Sequence, residues 1–145
     1  MKIAIGSDEK TPLTDWIVGY VKKLGHNVEL FGPLKEEEKE WADVSLELGE
    51  NVVNKKCKEG ILFCWTGTGA SIAANKVKGI RAALCVNKEQ AKGARRWNHA
   101  NVLVMSLFLT TKKLAKEIID AWFSESFGKE DFDIRNVEKI KNYEK

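Results

Sequence analysis

Cys64 closes an apolar run, Gly60-Ile-Leu-Phe-Cys64. It is followed at once by a Gly-rich turn, Trp65-Thr-Gly-Thr-Gly69, and by a helix-forming stretch from Ala70. A strand that ends on a thiol beside such a turn sets a base next to free backbone N–H groups at a helix N-terminus, where an anion is stabilised. That pairing suits proton abstraction from a carbon beside a carbonyl: the thiol, as thiolate, takes the proton and the N–H groups hold the oxyanion. Free cysteines are also common core residues. The turn tips Cys64 toward chemistry, because a helix N-terminus favours a neighbouring thiolate. Cys57 and Cys85 read as structural, with Cys85 at a strand end where it could border the site.

The Gly67/Gly69 turn does not fit nucleotide binding. Position 72 is Ile where the dinucleotide fingerprint needs Gly, the turn follows a third strand rather than the first, and no Gly-Lys-Ser/Thr closes it. Asp8, at the tip of the first strand, reads either as a ligand-binding carboxylate or as the cap of the next helix. Glu9 and Lys10 are a second candidate pair, with a solvated pair as the alternative. Trp65 and Trp97 offer flat faces that stack on a sugar, or they pack a subunit interface. His99 is read as an acid/base or as a satisfied structural histidine; His26, after Gly25 at a helix exit, reads as surface. Arg95 and Arg96 are candidate anion contacts, or solvated residues of a helix end.

Strands are expected at Ile3–Ile5, Asn27–Phe31, Gly60–Cys64, Ile80–Cys85 and Asn101–Met105. Helical spacing of apolar residues marks 12–24, Trp41–Lys56, Ala70–Lys76, Lys88–Arg96, a stretch capped by Thr111, and the tail Phe132–Lys145. Thr11 before Pro12 is a helix start, and Lys35–Glu40 a solvated charge run. Short apolar strands alternating with helices predict one α/β domain over residues 1–145: a Rossmann-like, five-stranded parallel sheet with helices on both faces. In such sheets ligands bind beyond the carboxyl ends of the strands, so the loops after Ile5, Cys64 and Cys85 are where a site belongs. The tail helix has little left to pack on in one subunit and is expected to reach a partner.

Composition is ordinary for a globular chain of 145 residues, 43% hydrophobic and 31% charged with a net charge of +3. Lys and Glu are interspersed, with no basic stripe for nucleic acid. No apolar run approaches the roughly 20 residues of a membrane helix. The chain opens on a strand, leaving no room for a leader. Three cysteines without a CxxC pattern suggest neither disulfides nor zinc, and a reducing cytoplasm fits.

With Gly-Ser-Asp8 after the first strand, Cys-Trp-Thr-Gly-Thr-Gly69 after the third, and Ser71-Ile-Ala-Ala-Asn-Lys-Val-Lys-Gly-Ile-Arg-Ala-Ala-Leu-Cys85 beyond, the chain resembles the ribose-5-phosphate isomerase B / galactose-6-phosphate isomerase family over nearly its whole length. The resemblance implies aldose–ketose isomerisation through an enediolate, no metal or cofactor, a small sugar or sugar phosphate as substrate, and a homodimer, with further pairing into a tetramer left open. It puts the base on Cys64 and the anion hole on Thr66, Gly67, Thr68, Gly69 and the helix start at Ala70. It gives sugar hydroxyls to Asp8 and Asn98.

The departures are concentrated. The family's Ser-Asp-His-Ala reads Ser7-Asp8-Glu9-Lys10, so a phosphate-contacting His is an acid. His-Asn-Asp-Ala-Asn reads Trp97-Asn98-His99-Ala100-Asn101, so the ring-opening His is Trp97, with His99 as the nearest substitute. Gly-Ala-Arg reads Ser106-Leu107-Phe108, and two tail arginines read Phe132 and Asn136, with Arg135 adjacent. Trp65 replaces a Gly. Each lost Arg removes a charge-assisted contact worth roughly 1.5–3 kcal/mol, and Glu9 repels a phosphate. The expected substrate is therefore not ribose 5-phosphate. An unphosphorylated sugar or uronate, in a pocket made more apolar by Phe108 and Phe132, is the alternative within enzymes. A sugar- or metabolite-binding module without catalysis is the alternative outside them.

Overall fold

The computed structural model describes residues 1–145. Five strands, β1 (Lys2–Ser7), β2 (Asn27–Phe31), β3 (Glu59–Cys64), β4 (Ala82–Leu84) and β5 (Val102–Ser106), form one sheet in the order β2-β1-β3-β5-β4, every pair parallel. Six helices connect and follow them: α1 (Pro12–Lys23), α2 (Trp41–Val53), α3 (Thr68–Ala74), α4 (Lys88–Asn98), α5 (Lys112–Ser124) and α6 (Asp131–Tyr143). This is the expected Rossmann-like architecture.

Side chains alternate across the sheet, and each face buries its own core. Ile3, Ile5, Ile61, Phe63, Leu103 and Met105 meet Ile17, Ile118, Ile119 and Trp122 on one side. Ala4, Leu62, Cys64, Val102 and Val104 meet Val44, Leu48, Ala70 and Ala74 on the other. The period of two thus points Cys64 toward α2 and α3. Thr11 and Thr14 cap α1 reciprocally through side-chain and backbone bonds of 2.9 and 3.2 Å.

Several boundaries differ from the sequence reading. The second helix stops at Val53, not Lys56: Lys55 turns left-handed at φ 61°, and the Lys56 amide returns to the Asn51 carbonyl. Cys57 therefore lies beyond the helix, fully buried. The fourth strand is Ala82–Leu84 rather than Ile80–Cys85, because Ile80 closes a turn on Val77 and the Arg81 amide bonds the Asn101 side chain. Asn75 blunts this edge strand, its carboxamide engaging both the amide and the carbonyl of Ala82 at 2.8 and 3.0 Å. The third helix begins at Thr68, two residues before the predicted Ala70, and the fourth runs on to Asn98. The tail helix buries only Asp133 and Val137. No helix is long and apolar enough to cross a membrane.

Candidate active site

At the carboxyl edge of the sheet, β1, β3 and β5 deliver their last residues side by side, with Ser7 opposite Phe63 and Cys64 opposite Ser106. A cleft of about 260 Å³ opens there, lined by Asp8, Trp41, Cys64, Trp65, Thr66, Thr68 and Gly69. Ser7 shapes the loop that carries Asp8: its hydroxyl donates to the Glu9 carbonyl and accepts from the Glu9 amide. Burial, reinforced by the negative charge of Glu9, raises the Asp8 carboxyl above the ordinary aspartate value against the pull of its own backbone N–H.

The turn after Cys64 is fixed from below. Gly67 sits at φ 81°, and a Cβ there would come within 2.5 Å of Leu84 Cδ1 and 3.3 Å of the β5 backbone, so glycine alone fits. Gly67 is the N-cap of α3, and Ser71 makes the first intrahelical bond back to it. The amides of Gly69 and Ala70 find no acceptor within the chain. Thr66 and Thr68 join hydroxyl to hydroxyl at 2.7 Å. The Trp65 carbonyl accepts from the Phe108 amide and from Ser106 Oγ, and the two rings meet at 5.4 Å between centroids. Phe108 thus backs Trp65 rather than lining the cleft, and Glu9 lies exposed beside Asp8.

Trp41 was not among the residues the sequence singled out. Its indole covers the turn so closely that a Cβ on Gly69 would meet three of its ring atoms at 3.0–3.2 Å. The available signal was positional: Trp41 starts α2, whose N-terminus lies at the carboxyl edge where ligands bind.

Trp97, Asn98 and His99 do not join this cleft within the chain. A helix after a parallel strand runs back along the sheet, so α4, which leaves the top of β4, ends at the opposite edge beside the start of β5. From Val102 to Ser106 the sheet rises about 13 Å, and the Asn98 level lies below Val102. His99 sits at φ 50° as the C-cap of α4. Its ring stacks on Phe127 at 4.6 Å and its Nε2 lies 2.9 Å from the Gly128 carbonyl. Trp97 and Asn98 instead line a second hollow with Phe132, Asp133 and Asn136 of α6.

The basic residues proposed as anion contacts are all engaged. Lys10 pairs with Asp15 at 2.7 Å and Arg96 with Glu125 at 3.1 Å. Arg95 is buried, holding Glu59 at 2.9 Å and the Ala100 carbonyl at 2.7 Å while it stacks between Trp122 and Phe127. Arg135 lies over the Phe132 ring. Neither hollow has a lysine or arginine in its lining.

Residues 3–140 match the family model described as Ribose/Galactose Isomerase. Among curated proteins the chain is similar to the D-erythrulose-4-phosphate isomerase of Pectobacterium atrosepticum, 37% identical over 99% of this chain and 95% of that one. It is also similar to the ribose-5-phosphate isomerase B of Escherichia coli, 35% identical over 87% and 85% of the two chains. Among solved structures, ribose-5-phosphate isomerase B of Clostridium thermocellum superposes with a TM-score of 0.92 at 38% identity, covering 99% of this chain and 97% of the other.

Proposed function

The chain belongs to the ribose/galactose isomerase family of aldose–ketose isomerases, and we propose that Cys64 is its base and that its substrate is not ribose 5-phosphate. The observation that carries this reading is the cleft itself. A strand-end thiol, the unsatisfied amide of Gly69 with that of buried Ala70 behind it, and a partly buried carboxyl at Asp8 converge there, and no cation accompanies them.

In the proposed mechanism the Cys64 thiolate removes the proton from the hydroxyl-bearing carbon beside the carbonyl. The C–H electron pair becomes the carbon–carbon double bond, and the carbonyl pair moves onto oxygen, giving a cis-enediolate. The amides of Gly69 and Ala70, with Thr66 and Thr68 beside them, hold that oxygen. Cys64 then returns the proton to the neighbouring carbon, while Asp8 moves the matching proton between the two oxygens. Carbon oxidation levels are exchanged within the substrate, so no external oxidant or reductant enters.

A homodimer accounts for the second hollow. A second copy that brings Trp97, Asn98, Phe132 and Asn136 over the Cys64 cleft gives Asn98 its expected contact with sugar hydroxyls. The exposed Phe132, Ile134 and Ile140 of α6 favour such packing. The absence of an unpaired cation in either hollow weighs against a tightly held phosphate of any chain length, while the tetrulose phosphate named for the Pectobacterium relative supports a substrate other than ribose 5-phosphate. The same absence favours, as a second reading, an unphosphorylated sugar or uronate.

The test is solvent-deuterium exchange, followed by NMR, into a panel of phosphorylated and free aldoses, ketoses and uronates, with Cys64→Ala as control. Exchange into one sugar that the variant abolishes is the expected result. Exchange that survives in Cys64→Ala removes the cysteine base. Binding without exchange across the panel points to the non-catalytic module.

A further inference from the structure

We propose that the sugar isomerised at Cys64 is an open-chain one, a short ketose and its aldose whose ring-closing hydroxyl is absent or esterified, as in a tetrose 4-phosphate. This rests on the reading of Cys64 as the isomerase base and adds the class of substrate that base can serve.

A sugar that exists as a cyclic hemiacetal must be opened before its carbonyl-adjacent proton becomes acidic. Opening needs a proton delivered to the ring oxygen while another leaves the anomeric hydroxyl. The side chain suited to give and take protons near neutrality is imidazole. This chain has two histidines, and both are committed elsewhere. His26 stacks on Phe123 at 4.4 Å and its Nδ1 lies 3.3 Å from the terminal amine. His99 stacks on Phe127 and bonds Gly128, at the far edge of the sheet from Cys64.

Inside the cleft the ionisable groups are one thiol and one carboxyl, Cys64 and Asp8. Isomerisation engages both, the thiolate for the carbon-bound proton and Asp8 for the oxygen-bound one. The second hollow, which a partner copy would bring over the cleft, adds an indole, two carboxamides, a phenyl ring and the buried carboxyl of Asp133, again with no imidazole. Two indoles, Trp41 and Trp65, wall the 260 Å³ space. The chain thus carries groups for proton transfer at carbon and none set aside for ring opening.

A substrate that never closes makes that absence harmless. In a tetrose 4-phosphate the terminal oxygen is esterified, and the remaining hydroxyls lie too near the carbonyl to form a five- or six-membered ring. Free D-erythrulose is open as a ketose for the same geometric reason, although its aldose, with the terminal hydroxyl free, closes to a furanose. An open-chain ketose is the shared chemistry, and phosphate is the variable that separates the sources and keeps the aldose open as well.

The experiment follows the intact protein with D-erythrulose 4-phosphate, free D-erythrulose and D-ribose 5-phosphate at several enzyme concentrations, reading deuterium exchange and product. The expected result is exchange into one open-chain ketose at a rate proportional to enzyme. Exchange into the phosphate ester or into the free ketose assigns the source. Ribose 5-phosphate, which is mostly a closed furanose, is expected to turn over no faster than it opens unaided, so that about tenfold more enzyme leaves its rate unchanged. Turnover of ribose 5-phosphate that rises in proportion to enzyme past the uncatalysed opening rate overturns the open-chain assignment and leaves the cysteine base intact. No exchange into any of the three overturns both, and exchange in Cys64→Ala overturns the base alone.

Discussion

The hydroxyl of Ser106, the last residue of β5, donates to the backbone carbonyl of Trp65 across 2.8 Å, and so ties the end of one strand to the turn that follows the thiol of its neighbour. The same oxygen accepts from the Leu109 amide at 3.1 Å. Ser106 is buried while Trp65 and Leu109 are exposed, so both bonds are partly shielded from water. Trp65 is therefore a held wall of the cleft although most of its ring is exposed.

Ser106→Ala should consequently loosen the wall without moving Cys64. Losing the hydroxyl removes two partly shielded bonds and costs roughly 0.5–1.5 kcal/mol of stability, measurable by urea denaturation. Cys64 is fixed by its own strand pairing with β1 and β5, so KM should rise several-fold while kcat changes little. A fall in kcat at unchanged KM would place Ser106 in the chemistry instead.

The three cysteines should separate cleanly under alkylation. Burial pushes the Cys85 thiol up to about 12, and burial with the Glu29 charge raises that of Cys57; each is only 1% exposed. Cys64 opens on the cleft at the carboxyl edge, whereas Cys57 borders a separate hollow beside Lys2 and Lys56 but keeps its raised thiol. Iodoacetamide on the folded protein should add one equivalent, at Cys64, and a bound substrate should slow it. Mass spectrometry of the peptides checks this, with Cys64→Ala taking up none.

The elements were legible in sequence because each reports its own burial. Apolar runs at 60–64 and 102–105 face two cores, and the Thr11-Pro12 cap is a local bond. Cys64, Asp8 and the glycine turn could be placed together because all follow strand ends on one edge. Trp41 offered only its place at the start of α2, since what makes it part of the cleft is its approach to Gly69 across intervening chain. The grouping of Asn98 and His99 with Cys64 came from resemblance rather than from direction. A helix that follows a parallel strand must return to the other edge, so one chain cannot bring them together. The pairing of Arg95 with Glu59 was equally hidden, because two charges far apart in sequence read as solvated until the fold buries both.

That pair should be costly to break. Glu59 accepts from Arg95 at 2.9 Å and from the Trp122 indole N–H at 2.8 Å, all three residues being buried. Arg95→Met leaves a buried carboxylate without its cation and should cost about 3–5 kcal/mol, whereas replacing both partners with apolar residues should recover much of that loss. Denaturant midpoints of the single and double variants measure the difference. Because Arg95 also holds the Ala100 carbonyl and stacks on Phe127, the single variant should free the segment carrying Asn98 and His99, seen as faster amide hydrogen exchange there.

In the proposed mechanism Asp8 sets function against stability, and pH should expose the conflict. Its folded carboxyl titrates above the unfolded value of 3.8, with burial the leading cause and Glu9 adding to it. The folded state therefore holds the proton more tightly than the unfolded chain. Its advantage is full below the unfolded value and is lost as pH rises through the folded one, so at neutral pH the ionised Asp8 is a net cost. Asp8→Asn removes the charge and keeps the shape. It should raise the denaturation midpoint at pH 7, with the gain shrinking toward zero as pH falls below about 4. The same variant should lose most turnover, because a carboxamide cannot shuttle a proton between the two oxygens of the enediolate. A stability gain that persisted unchanged into acid would mean that the raised titration is not its source. Retained turnover would remove Asp8 from the proton path and leave it as a ligand for hydroxyls.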